Sequence, residues 1–179
     1  MPRVPNKHGG GSLTNAHGLN FEQTTSLNEA LRRSGYKVSD IGEVYYNDCL
    51  IGYSKAKHKF RKFLEKKGVD LNINSDVLLP DDTFINIKNK TVYIIEKKFQ
   101  EGSGSVAEKI QTCEYKKIQY SKLVNQMGYS VEYVYILNDF FKDPKFDDAL
   151  EFVKAKGCYY YFNELPLQFL ELWYDMEEK

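Results

Sequence analysis

Two carboxylates and an ammonium stand within a short stretch of this chain: Asp81 after Pro80, then Glu96 and Lys98 in the triplet Glu96-Lys97-Lys98. Side chains alternate along a strand, so Glu96 and Lys98 emerge on one face and Lys97 on the other. Residues 83–87 and 91–98 are rich in β-branched and aromatic types, and Lys88-Asn89-Lys90 between them is turn-like, which reads as a β-hairpin. A tight turn there sets the residue opposite Glu96 at 81 to 83. With Lys88-Asn89 as the central pair it is Asp81. Facing carboxylates repel each other, a poor choice for stability alone. A hard divalent cation such as Mg²⁺ resolves the repulsion, because it prefers oxygen ligands, keeps several waters and accepts phosphate oxygens. An ammonium beside such a centre can orient an attacking water and meet the negative charge that builds on phosphorus.

The run Pro80-Asp81-Asp82-Thr83-Phe84-Ile85-Asn86-Ile87, continued by Ile94-Ile95-Glu96-Lys97-Lys98-Phe99-Gln100, resembles the PD-(D/E)xK nuclease superfamily, particularly type II restriction endonucleases. The resemblance implies that Asp81 and Glu96 bind the metal and that Lys98 assists the nucleophile. It further implies Mg²⁺ as cofactor with Mn²⁺ able to substitute, double-stranded DNA as substrate, a two-fold homodimer, and a cognate DNA methyltransferase acting on the same site. Gly18-Leu19-Asn20-Phe21-Glu22 is similar to the first helix of that superfamily, where a glutamate sometimes supports the metal, so Glu22 is a secondary candidate. Gln100 is another, on the face of Lys98 if the strand persists. Asp76, opening the strand-like run Ser75-Asp76-Val77-Leu78-Leu79, is the second choice of aspartate and Asp82 the third. A DNA-repair or junction-resolving nuclease of the same superfamily, and a catalytically silent DNA-binding module, are the competing readings. Taken singly, Pro-Asp is ordinary turn chemistry; the expectation rests on the joint occurrence of motif, preceding hairpin and following helix.

The surrounding elements must hold that hairpin. Helices are expected over residues 21–34, 55–67 and 106–125, with Gly35, Gly68 and Gly128 as their stops and Ser54 as cap of the second. The third buries Val106, Ile110, Cys113, Tyr120 and Val124, with Lys117 interrupting the stripe. A strand is expected near residues 43–47, an interior strand over 131–137 and a short one over 158–162, where the tyrosines are sheet packing. Asp143-Pro144 starts a fourth helix and Asn163 caps a last one through Trp173. The order matches an αβββαβ core, an α/β domain with a mixed sheet flanked by helices.

Composition bounds these readings. A chain of 179 residues makes one domain, here residues 19–179, after a flexible arm at 1–18 that carries Gly9-Gly10-Gly11. No apolar run is long enough to span a membrane and the opening is not a secretory signal, so the protein reads as cytoplasmic. Three scattered cysteines and three histidines have no zinc spacing and read as buried thiols and incidental imidazoles, although His17 in the arm could reach DNA. With 25 basic and 25 acidic residues the net charge is zero, so any argument for nucleic acid must rest on local clustering. The helix over 55–67 supplies it: Lys55, Lys57, Lys59, Arg61, Lys62, Lys66 and Lys67 stand against the single acid Glu65.

Overall fold

The alternation along residues 82–98 becomes the centre of a seven-stranded sheet and divides the core into two halves. The structure, a computed structural model, describes residues 18–20, 26–101 and 106–172. The expected arm up to residue 17, Glu22 and Trp173 lie outside the described residues. In chain order the elements are β1 (Gly18–Asn20), α1 (Leu27–Arg33), β2 (Lys37–Val38), β3 (Glu43–Tyr46), β4 (Cys49–Lys55), α2 (His58–Lys66), β5 (Asp82–Asn86), β6 (Thr91–Lys98), α3 (Val106–Gln111), α4 (Cys113–Val124), β7 (Ser130–Leu137), α5 (Asp147–Ala155), β8 (Tyr159–Phe162) and β9 (Glu164–Pro166). The main sheet runs β2-β3-β4-β5-β6-β7-β8, antiparallel as far as β6 and parallel from β6 to β8, while β1 pairs with β9. This is a single α/β domain with a mixed sheet flanked by helices. The succession α1, β4, β5, β6, α4, β7 has the expected αβββαβ order, with β2 and β3 inserted before β4, α2 before β5 and α3 before α4. Among the described residues no helix is long and apolar enough to cross a membrane.

One face of the sheet buries Ile85, Val92, Ile94, Tyr133 and Tyr135 under Phe60 and Leu64 of α2, Tyr120 and Val124 of α4, and Val153 of α5. The other buries Phe84, Tyr93, Ile95, Val134 and Ile136 under Leu27 and Leu31 of α1 and the 3-10 turn Leu167–Leu170. Each such side chain contributes about 1.5 to 3 kcal/mol on burial. A one-residue slip of β6 would therefore move apolar residues to the wrong half-core and carry Glu96 and Lys98 to the α1 face. The same packing that stabilises the domain fixes which face the charged residues share.

Several elements differ from expectation for local reasons. The strand expected near 43–47 is the first arm of a β3-β4 hairpin, whose turn Asn47-Asp48 has φ of 46° and 63°; Asn and Asp tolerate that left-handed region. Ser54 therefore lies inside β4 instead of capping α2, which begins at His58 with no side-chain cap. The long third helix is broken at Thr112, whose hydroxyl donates to the Lys109 carbonyl at 2.9 Å, an alternative to the helical ladder. The helix expected from Asn163 is instead β9 and the 3-10 turn. At the fourth helix Asp143 does cap, accepting from the Lys145 N–H at 3.0 Å, but the first turn is 3-10. Cys113 and Cys158 are buried as expected, whereas Cys49 is exposed.

Candidate active site

The β5-β6 ladder pairs Asn86 with Thr91, Thr83 with Ile94 and Asp82 with Ile95. Continued by one residue, it sets Asp81 opposite Glu96, the register that a Lys88-Asn89 turn requires. Local hydrogen bonds explain the turn: Asn86 Oδ1 accepts from the Lys88 and Asn89 N–H groups at 3.0 and 3.3 Å, and Asn89 Oδ1 from the Thr91 N–H at 3.0 Å. Asn86 also donates to the Leu170 and Glu171 carbonyls, which ties the turn to the C-terminal segment.

At the far end of this hairpin the Glu96 side chain is buried, only 5% of the residue being exposed. Its Oε2 accepts from Lys98 Nζ at 3.0 Å and from Lys116 Nζ at 3.3 Å. Asp81, half-buried, accepts from the Lys97 backbone N–H through Oδ2 at 2.9 Å, so its carboxylate is fastened to the strand between Glu96 and Lys98. Tyr120 of α4 lies over the same spot. Burial, then the charges of Glu96 and Asp81, hold its phenol well above the ordinary tyrosine range, and among the described residues its buried hydroxyl has no hydrogen-bond partner. Two carboxylates thus act on one orphaned hydroxyl.

Lys116 was not singled out from the sequence, and Tyr120 only as a buried residue of the third helix. Their signal was helical spacing: Lys116 stands three residues after buried Cys113 and four before buried Tyr120, which puts an ammonium on the inward face of α4. Lys117, which interrupts the stripe in the sequence, donates to the Gly157 carbonyl at 2.7 Å and pairs with Glu132 of β7 at 3.4 Å.

The remaining candidates do not join this cluster. Asp82 and Lys97 form a 2.9 Å ion pair on the α1 face, where the Leu27 N–H also donates to Asp82. Burial raises the Asp82 carboxyl above its usual range despite the pull of Lys97. Asp76 is exposed in the irregular segment before β5, and among the described residues no hydrogen bond or ion pair joins it to Glu96 or Lys98. Strand β6 ends at Lys98, so the alternation that would align Gln100 with it does not continue; the Gln100 backbone instead exchanges two hydrogen bonds with the Asn138 side chain. Glu22 lies outside the described residues.

Among the described residues no three His, Cys, Asp or Glu side chains gather as a metal-binding set. The cluster offers two carboxylates and the unpartnered Tyr120 hydroxyl. Carboxylate oxygens are the hard ligands that Mg²⁺ prefers, and one or two of them suffice when substrate phosphate and waters complete its shell. Comparison with protein-family models, with curated proteins and with solved structures finds no match.

Proposed function

We propose that this protein is a Mg²⁺-dependent endonuclease that hydrolyses DNA phosphodiester bonds, of the type II site-specific restriction kind. The observation that carries the reading is the buried Glu96 carboxylate with the Lys98 and Lys116 ammoniums on one oxygen, beside an Asp81 fastened to the same strand. A buried carboxylate among fixed charges is costly as architecture alone and useful as chemistry. Asp81 and Glu96 would hold Mg²⁺, or Mn²⁺ in its place, which when bound supplies a Lewis acid to the phosphate oxygens. Lys98 orients the attacking water and meets the charge that develops on phosphorus. Water adds in line to phosphorus, the bond to the departing sugar oxygen breaks, and that oxygen takes up a proton as the attacking water gives one to solvent. Lys116 acts through Glu96, holding its carboxylate from the helix side. The reading brings with it double-stranded DNA, a two-fold dimer that matches one site to each strand, and a cognate methyltransferase that protects the target.

The test is digestion of a long plasmid in the presence of Mg²⁺ or Mn²⁺. Discrete fragments that disappear with a chelator, and with Glu96→Gln, are expected. Cleavage undiminished by the chelator would overturn the metal mechanism. Cutting confined to branched or damaged DNA would point to a structure-selective repair nuclease, and DNA binding without cutting to a silent binding module.

A further inference from the structure

A second feature shares the face and the end of the sheet that carry Glu96. Lys55 at the end of β4 pairs with Thr83, which pairs with Ile94. That row lies one two-residue step, roughly 7 Å, from the row of Asp81 and Glu96. Beside it β4 and α2 enclose a hollow of about 470 Å³, rimmed by Lys55, Lys59, Lys62, Lys66 and Lys67. Its floor is aromatic: the half-buried Tyr53 and Phe63 rings meet at 5.3 Å between centroids with 46° between their planes. Lys55 Nζ stands 5.6 and 5.8 Å from the two ring centres and Lys67 Nζ 6.0 and 5.6 Å, so the π faces open toward the cations. Two acids, Asp40 and Glu43, also line the hollow, and the five lysines outnumber them. Glu65 of α2 is taken by Arg61 at 3.1 Å. Among the described residues Lys59, Lys62 and Lys66 enter no ion pair. They recur at helical spacing along one side of α2 and span roughly 10 Å, enough to follow a phosphate backbone past a single group.

We propose that this hollow takes one unstacked nucleotide of a nucleic-acid strand, its base against Tyr53 and Phe63 and its flanking phosphates along Lys59, Lys62 and Lys66. A simple phosphate site has no use for the aromatic floor, and an apolar site has no use for five lysines. The two together fit a flat π system bearing negative charge, the combination that single-stranded nucleic acid offers. The inference rests on the nuclease reading for the strand that reaches this face, and it adds a place where a base outside the duplex is held close to the cleavage centre.

The experiment is fluorescence anisotropy with the full chain and no divalent metal, using a short labelled single strand and an abasic strand of equal length and charge. The base-containing strand should bind roughly tenfold tighter. Tyr53→Leu and Phe63→Leu should each shrink that preference while leaving abasic binding in place, and the double variant Lys62→Glu, Lys66→Glu should weaken both strands alike. Both rings abut the core, so thermal melts accompany them; the two lysines are exposed, and their reversal stays informative if a ring variant fails to fold. A nucleoside monophosphate should displace the strand better than inorganic phosphate does. Equal affinity for the two strands, or equal displacement by inorganic phosphate, would overturn the base pocket. A strand that binds no tighter than the monophosphate would overturn the strand assignment. Plasmid cleavage, measured separately, keeps the two readings apart: base preference without cutting leaves the pocket standing and removes the nuclease, and cutting without base preference does the reverse.

Discussion

At the scale of single residues, Lys98 and Lys116 share one carboxylate oxygen, and the proposed cleavage would give them different tasks. Lys98 follows Glu96 on the same strand face and would meet the reacting phosphate; Lys116 reaches Glu96 from α4. Lys98→Ala should lower the cleavage rate by about 10² to 10³-fold, the usual cost of losing a group that stabilises transition-state charge. Lys116→Ala should cost roughly tenfold through a misplaced Glu96, and Lys116→Arg should recover most of it. Single-turnover cleavage together with thermal melts checks this, and full activity in Lys98→Ala would remove the assignment. Asp82 gives a separate test on the opposite face. Its carboxyl is raised by burial, so the folded state holds the proton more tightly than the unfolded chain does. Its contribution to stability is complete below the ordinary Asp value of about 3.9 and is lost as pH rises through the raised folded value. Asp82→Asn should therefore show a smaller loss of melting temperature than the wild type over that rise in pH. Parallel curves would mean that Asp82 does not titrate there.

At the scale of elements, β5 is held in register by a close approach of β4. A Cβ built on Gly52 would lie 2.3 Å from the Ile85 carbonyl oxygen and 2.7 Å from the Phe84 ring. Gly52→Ala should destabilise the domain by roughly 1 to 3 kcal/mol, read by denaturant unfolding, because backbone and a packed ring must both move. The hairpin was legible from the sequence because two β-branched and aromatic runs flank asparagine-rich turn chemistry, and Glu96 and Lys98 share a face as strand alternation requires; the register was left open between positions 81 and 83, and the Asp82–Ile95 pair selects 81. The interior strand β7 was legible for its continuous apolar run. Strand β4 was not, since Asn47-Asp48 turns the chain without a glycine and Gly52 and Ser54 dilute the strand pattern. The break at Thr112 and the replacement of the last helix by β9 come from a hydroxyl back-bond and from tertiary pairing with β1, neither of which has a periodic signature. Lys116 was missed although Cys113 and Tyr120 already marked the inward side of that helix in the sequence, because a lysine on a Lys-rich helix reads as a solvated charge.

At the scale of the whole molecule, the proposed Mg²⁺ site would link metal binding to folding. Asp81 comes from the entry to β5 and Glu96 from β6, and the two strands pair only in the folded domain. An ion that needs the assembled set binds the folded chain alone, so it stabilises by mass action even with no substrate present. At ten times its Kd the gain is about 1.4 kcal/mol, which for a domain of 179 residues raises Tm by about 3 to 6 °C. Thermal melts with and without Mg²⁺, at constant ionic strength, should show this rise in the wild type and in Asp76→Asn. They should show little of it in Asp81→Asn or Glu96→Gln, which keep the side-chain shape and lose the charge. Because the readout is unfolding, a metal site without catalysis would still register, and cleavage need not be observed first. A rise that survives in Asp81→Asn and disappears in Asp76→Asn would transfer the aspartate's role to Asp76. It would require the exposed segment before β5 to fold onto Glu96 when the metal binds.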